Sequence, residues 1–112
     1  MTLYDATNKR LAVFEKAATS DFWDTQWKKE NIKERVSSGK THHFIERFTK
    51  QYAPKGGRIL DGGCGTGEVV SCLQKWGYDA YGIDYAAETI QAVREMLPNL
   101  KLSVQDVKHT NF

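Results

Sequence analysis

The stretch "RILDGGCGTGEVV", residues 58–70, constrains the chain more than any other segment. Four of the six residues from Gly62 to Gly67 are glycine, directly after Asp61 and directly before a helical apolar pattern. Glycine weakens regular structure and permits turns with positive φ. Placed between a short apolar run and a helix, such a cluster marks a strand-to-helix bend that something approaches closely.

The flanking segments extend the pattern. "RILDG" is a short apolar strand, and "GEVVSCLQKW" is helical, with Val69, Val70, Leu73 and Trp76 facing one way. "YDAYGID" is a second strand. "AAETIQAVREMLP" is a second helix carrying Ile90, Val93 and Leu97 on one face, and Pro98 lies just past its end. "LKLSVQD" alternates, with Leu100, Leu102 and Val104 on one side and Lys101, Ser103 and Gln105 on the other. Strand–helix–strand–helix–strand predicts an α/β unit with a parallel sheet and right-handed crossovers. Ligands of such sheets bind beyond the carboxyl ends of the strands. Asp61 with the glycine loop, Asp84 and Asp106 all fall at those ends.

Residues 1–57 read as helices. "NKRLAVFEKAA" sets Leu11, Phe14 and Ala18 on one face. Ser20 is placed to cap a second helix through "DFWDTQWKKENIKERV", with Trp23 and Trp27 at i, i+4. Both tryptophans are expected in the core, with the lining of a cofactor or substrate pocket as the alternative. "THHFIERFTKQY" is a third helix with Phe44, Ile45, Phe48 and Tyr52 on a shared face, ended by "APKGG". The organisation expected is a helical cap over 1–57 and a ligand-binding unit over 58–112.

Which ligand the glycines admit is decided by what surrounds them. A phosphate-binding P-loop needs a lysine and a hydroxyl after its last glycine, and here Glu68 and Val69 follow Gly67. The dinucleotide fingerprint lacks its third glycine in both frames, because the sixth position is Glu68 or Val70. Glu68 near a helix start also repels a pyrophosphate.

The remaining pattern, "LDGGCGTG", resembles motif I of the class I, Rossmann-like S-adenosylmethionine (SAM)-dependent methyltransferases. The match holds at Asp61, Gly63, Gly65 and Gly67, while Gly62 replaces the usual branched apolar residue. "GIDYAAETI" resembles that family's second-strand end with its ribose acid, and "VQDVKHTNF" its third-strand end. The resemblance covers about residues 58–112. Residues 1–57 resemble only loosely the N-terminal helices of small-molecule methyltransferases.

The resemblance implies a site. Asp61 serves the amine end of SAM, directly or through water, and Gly62, Gly63, Gly65 and Gly67 let the methionine tail lie against bare backbone. Asp84 accepts from the ribose hydroxyls, and Tyr85 packs on the adenine or in the core. Asp106 accepts from the adenine amino group, and the Val107 amide meets the ring. Each acid has a plainer reading: Asp61 and Asp106 as turn formers, Asp84 as a helix N-cap. No catalytic residue is identified, and the acceptor is expected to be a small molecule.

The family's sheet has seven strands in the order 3-2-1-4-5-7-6, and these 112 residues supply three. A chain truncated before the fourth strand is therefore expected, with an exposed first-strand edge that invites a homodimer or domain swap. The rival reading is a non-catalytic, self-associating fragment with weak or no SAM binding.

Composition narrows the partners. The net charge is +2, with eleven basic and seven acidic side chains in residues 1–57 against five and seven in 58–112. That imbalance reads as a solvated helical surface, and no basic stripe interleaved with aromatics points to nucleic acid. No apolar run is long enough for a membrane span. Cys64 and Cys72 read as reduced thiols, a loop filler and a core residue, in a cytoplasmic protein. His42 and His43 are adjacent and so point to different sides of a helix, and His109 is alone, so no metal site is expected.

Overall fold

The computed structural model of the chain describes residues 2–13, 19–28, 32–37 and 43–112. The chain opens with strands β1 (Thr2–Asp5) and β2 (Arg10–Val13), then helices α1 (Ser20–Lys28), α2 (Ile32–Ser37) and α3 (His43–Tyr52). Strand β3 (Arg58–Gly62), helix α4 (Glu68–Lys75), strand β4 (Asp79–Asp84), helix α5 (Ala87–Met96) and strand β5 (Leu102–Val104) complete it.

The second half takes the alternating form its sequence predicts. Strands β3, β4 and β5 pair in parallel in that order, with Leu60 beside Tyr81, Asp61 beside Gly82 and Ile83 beside Ser103. Two successive right-handed crossovers in one direction put both helices on the same side of the sheet. The core follows from this. Val70 and Leu73 of α4 and Ile90 and Val93 of α5 meet Ala80 of β4 and Leu102 of β5 in one buried cluster. Burial of each large aliphatic side chain contributes about 1.5–3 kcal/mol. Ile59, Val69, Trp76 and Leu97 pack against the cluster from its margin.

Among the described residues, the other sheet face is partly open. The Phe112 ring lies edge-on to Tyr81, with centroids 6.4 Å apart, and Lys101 Nζ sits 4.8 Å from the Tyr81 ring centre. Among the described residues β3 pairs with β4 alone, and Leu60 remains 45% exposed.

The first half departs from the all-helical expectation. Residues 10–13 form the return strand of an antiparallel hairpin, with Thr2 opposite Val13 and Asp5 opposite Arg10. Local turn chemistry decides it. Asn8 donates both its backbone N–H (3.2 Å) and its side-chain amide (2.8 Å) to the Asp5 carboxylate, and Lys9 adopts φ +51°. An Asx-type turn closed this way favours a hairpin over a helix start. Phe14 and Ala18 lie outside the described residues.

The described residues of the second predicted helix form α1 and α2. Its cap is Thr19 rather than Ser20: Thr19 Oγ1 accepts from the Phe22 amide at 3.4 Å, while Ser20 Oγ donates to the Tyr85 carbonyl at 2.7 Å. Helix α2 is fastened to α4 by an ion pair in which Arg35 Nε donates to Glu68 Oε2 at 2.9 Å.

Helix α3 turns its aromatic face outward. Phe44, Phe48 and Tyr52 are exposed and stack along the helix, with centroids 5.7 and 4.6 Å apart. No helix among the described residues is long and apolar enough to cross a membrane.

Candidate functional site

The loop after β3 is tied to the tip of β4. The amides of Gly63 and Cys64 both donate to the Ile83 carbonyl, at 2.8 and 2.9 Å. The Gly65 amide donates to Asp84 Oδ2 at 2.9 Å. The other carboxylate oxygen, Oδ1, accepts the Ala86 amide at 2.9 Å and closes the bend into α5. Asp84 is therefore a buried tie between two turns. It is not the N-cap of α5, since that position is held by Ala86.

The glycines divide by role. Gly63 has φ +84°, and a Cβ there would project into open space. A Cβ on Gly62 would meet Val107 Cγ1 at 3.2 Å, so the loop lies close to the turn after β5. Gly65 and Gly67 are buried. Gly67 caps α4 with φ +78°, where a Cβ would meet Leu102 and Leu100 side chains at 3.1 and 3.3 Å. These two glycines answer to turn geometry and packing.

A further glycine, Gly82 on β4, was not singled out in the sequence. Its Cβ would fall 2.7 Å from Leu102 Cδ2 and 2.8 Å from both Cys64 Sγ and Val70 Cγ2. Its absence of a side chain lets the loop and α4 settle on the strand. A glycine inside a strand pattern signals such close approach.

Beyond the strand tips lies a cavity of about 520 Å³. Gly62, Gly63, Asp84, Tyr85, Asp106 and Val107 all line it, joined by Trp23, Gln105 and Lys108. Its size is in the range of about 300–1,000 Å³ usual for small-molecule and cofactor sites. Asp61, Gly65 and Gly67 are not on its wall. Asp61 stands near Cys64, and its charge, with that of Asp84, adds to the burial that pushes the Cys64 thiol up to about 12. Cys64 therefore stays protonated and is a poor nucleophile.

The third acid also has a structural role. Asp106 Oδ1 accepts the Lys108 amide at 2.9 Å and its carbonyl accepts the His109 amide at 2.9 Å, closing the turn after β5. Asp106 itself is exposed on the cavity side.

Trp23 takes the alternative reading rather than the core one: it is half-buried and lines the cavity. The Trp27 side chain lies outside the described residues. Asp24, next to Trp23, is 5% exposed, and its Oδ1 accepts both the amide and the hydroxyl of Thr89 at 2.9 Å. Ala86 offers no side-chain cap to α5, so a residue 65 positions earlier supplies one.

The arrangement can bind a ligand with hydroxyl or amino donors and a flat face. A carboxylate has about four lone-pair sites, so Asp84 retains acceptor capacity after its two backbone bonds. At the start of α4 the carboxylate of Glu68 is engaged by Arg35.

A sequence profile described as a methyltransferase domain matches residues 29–112. Two solved structures share the fold. The PH0226 protein of Pyrococcus horikoshii OT3 is 23% identical with a TM-score of 0.54, covering 74% of this chain and 43% of its own. A TehB-like SAM-dependent methyltransferase of Corynebacterium glutamicum is 26% identical with a TM-score of 0.53, covering 83% of this chain and 50% of its own. The chain thus spans half or less of the length of these two proteins. No curated protein matches it.

Proposed function

The chain belongs to the methyltransferase domain family, and on that premise we propose that it is the SAM-binding portion of an enzyme that methylates a small-molecule acceptor. The observation that carries the reading is the convergence of Gly63, Asp84, Tyr85 and Asp106, from three strand tips, on one cavity.

The residues present suit SAM. Gly63 presents bare backbone to open space, as a cradle for a close-lying tail requires. Asp84 accepts from the ribose diol with the lone pairs its two backbone bonds leave over. Tyr85 supplies a flat face for the adenine. Asp106 accepts from the adenine amino group, and the Val107 amide donates to the ring. Asp61, set back from the wall, acts on the amine end through water. Bound SAM supplies an activated methyl group on sulfur, and the protein contributes binding and orientation.

A small acceptor suits a cavity of about 520 Å³ and the modest net charge of +2. Titration calorimetry with SAM tests the reading directly, because it needs no acceptor. Saturable binding is expected. A folded sample that takes up no heat-detectable SAM at millimolar concentration refutes it. A screen of radiolabelled methyl transfer to small molecules and to nucleic acid then separates acceptor classes.

A further inference from the structure

We propose that Asp24 is a positioning residue: its bond to Thr89 holds helix α1 against α5 and so keeps Trp23 on the wall of the cavity. The inference rests on SAM binding only for its ligand arm; the placement of α1 stands on its own geometry.

The physical case begins with the start of α5. Its first amides have no intrahelical acceptor, and its N-cap residue, Ala86, has no side chain to offer. Asp24 meets that need from another element, taking the Thr89 amide and hydroxyl on one oxygen. Negative charge is favoured at a helix N-terminus. A carboxylate 5% exposed is tolerable only with such bonds, so the docking geometry is narrowly set.

Ser20 stands four residues before Asp24 and lies on the same side of α1. Its hydroxyl bonds the Tyr85 carbonyl, so two bonds lay α1 along the bend from β4 into α5. Trp23 falls between these anchors. Its side chain joins those of Asp84 and Tyr85 around the cavity. Part of the cavity wall is therefore made by a segment remote in sequence, and it exists only while α1 is docked. Ligand affinity and α1 docking must then be linked.

The test compares the wild-type chain with Asp24→Ala and Asp24→Asn. Asparagine keeps an acceptor oxygen for Thr89, whereas alanine keeps none. Without ligand, hydrogen exchange at residues 20–28 should accelerate at least tenfold in Asp24→Ala, while the slow amides of β3, β4 and β5 keep their protection. With SAM, Asp24→Ala should bind at least fivefold more weakly and Asp24→Asn within about twofold of wild type. In a Trp27→Phe, Trp76→Phe background, the fluorescence of Trp23 should shift on SAM addition, and Asp24→Ala should abolish the shift. Equal exchange and equal affinity in wild type and Asp24→Ala overturn the proposal. Should Asp24→Ala fail to fold, Ser20→Ala replaces it, and unchanged exchange and affinity there overturn the proposal equally. Wild-type protein that binds no SAM overturns the cofactor reading instead, and the exchange measurement still decides whether Asp24 places α1.

Discussion

The Asp84 carboxylate accepts the Gly65 amide across 2.9 Å, so a side chain on the cavity wall also locks the glycine loop. On the proposed reading, binding and loop architecture are joined in one group. Asp84→Ala removes both backbone bonds in a buried setting. It should destabilise the fold by about 1–3 kcal/mol, as unsatisfied buried amides do, and weaken SAM at least about tenfold, about 1.4 kcal/mol. Asp84→Asn keeps one acceptor oxygen and should recover part of the stability but little of the affinity. Urea unfolding beside calorimetric titration reads the two effects separately. Unchanged SAM affinity in Asp84→Ala would remove the ribose assignment.

Gly63 and Gly77 form a matched pair for separating backbone strain from ligand contact. Both have positive φ, +84° and +91°, and a Cβ at either would meet nothing within 4 Å. Only Gly63 lines the cavity. Each change to alanine should cost roughly 1 kcal/mol of stability through the left-handed conformation. Gly63→Ala should also reduce SAM affinity several-fold, because its methyl group occupies ligand space. Gly77→Ala should leave affinity intact, and equal losses at the two positions would show that Gly63 acts through strain alone.

The half from Arg58 onward was legible because each element is specified locally. The apolar strands, the glycine bend and the helical spacing of Ile90, Val93 and Leu97 all point to one α/β answer. Parallel topology placed Asp61, Asp84 and Asp106 at successive strand ends; Asp84 and Asp106 line the cavity, whereas Asp61 stands back from its wall. What escaped depends on partners far along the chain. Asp24 looks like an ordinary surface acid in its own helix, and its bond to Thr89 spans 65 positions. Trp23 has helical spacing suited to a core, yet the cavity it borders is assembled from other elements. The hairpin was missed for a different reason: its strands have four residues each, too few for periodicity to separate strand from helix. The signal was the Asp5–Asn8 turn. Gly65 and Gly67 were read as ligand contacts; both are buried and off the cavity wall, a burial that could not be read from sequence.

Gly82 gives the sharpest packing prediction. Alanine there would bring a methyl group within 2.8 Å of Cys64 Sγ, Val70 Cγ2 and Leu102 Cδ2 together. Leu102 can rotate away, but Val70 is stiff at χ1 and Cys64 belongs to the hydrogen-bonded loop. Overpacking of this kind costs typically about 1–3 kcal/mol. Gly82→Ala should lower the urea midpoint accordingly and should also weaken SAM, since the loop must lift from β4. The double variant Gly82→Ala, Cys64→Ala should recover part of both losses. Additive losses would show that the loop is not what the new methyl group displaces.

Cys64 makes the stability depend on pH in a direction that can be assigned. Burial, reinforced by Asp61 and Asp84, raises its thiol from 9.0 to about 12 in the folded chain. The unfolded chain therefore loses this proton first as pH rises. The contribution to stability is full below about 9 and falls away between about 9 and about 12. The slope is at most about 1.4 kcal/mol per pH unit, reduced by residual solvent screening. Urea unfolding of wild type and Cys64→Ala at pH 8 and pH 10.5 isolates the effect, because Cys72 and the tyrosines are common to both and cancel. Wild type should lose more stability than Cys64→Ala over that interval, and iodoacetamide should label folded Cys64 far more slowly than the unfolded thiol. Parallel pH profiles with rapid labelling would mean that the thiol ionises freely in the folded chain and would overturn the assignment.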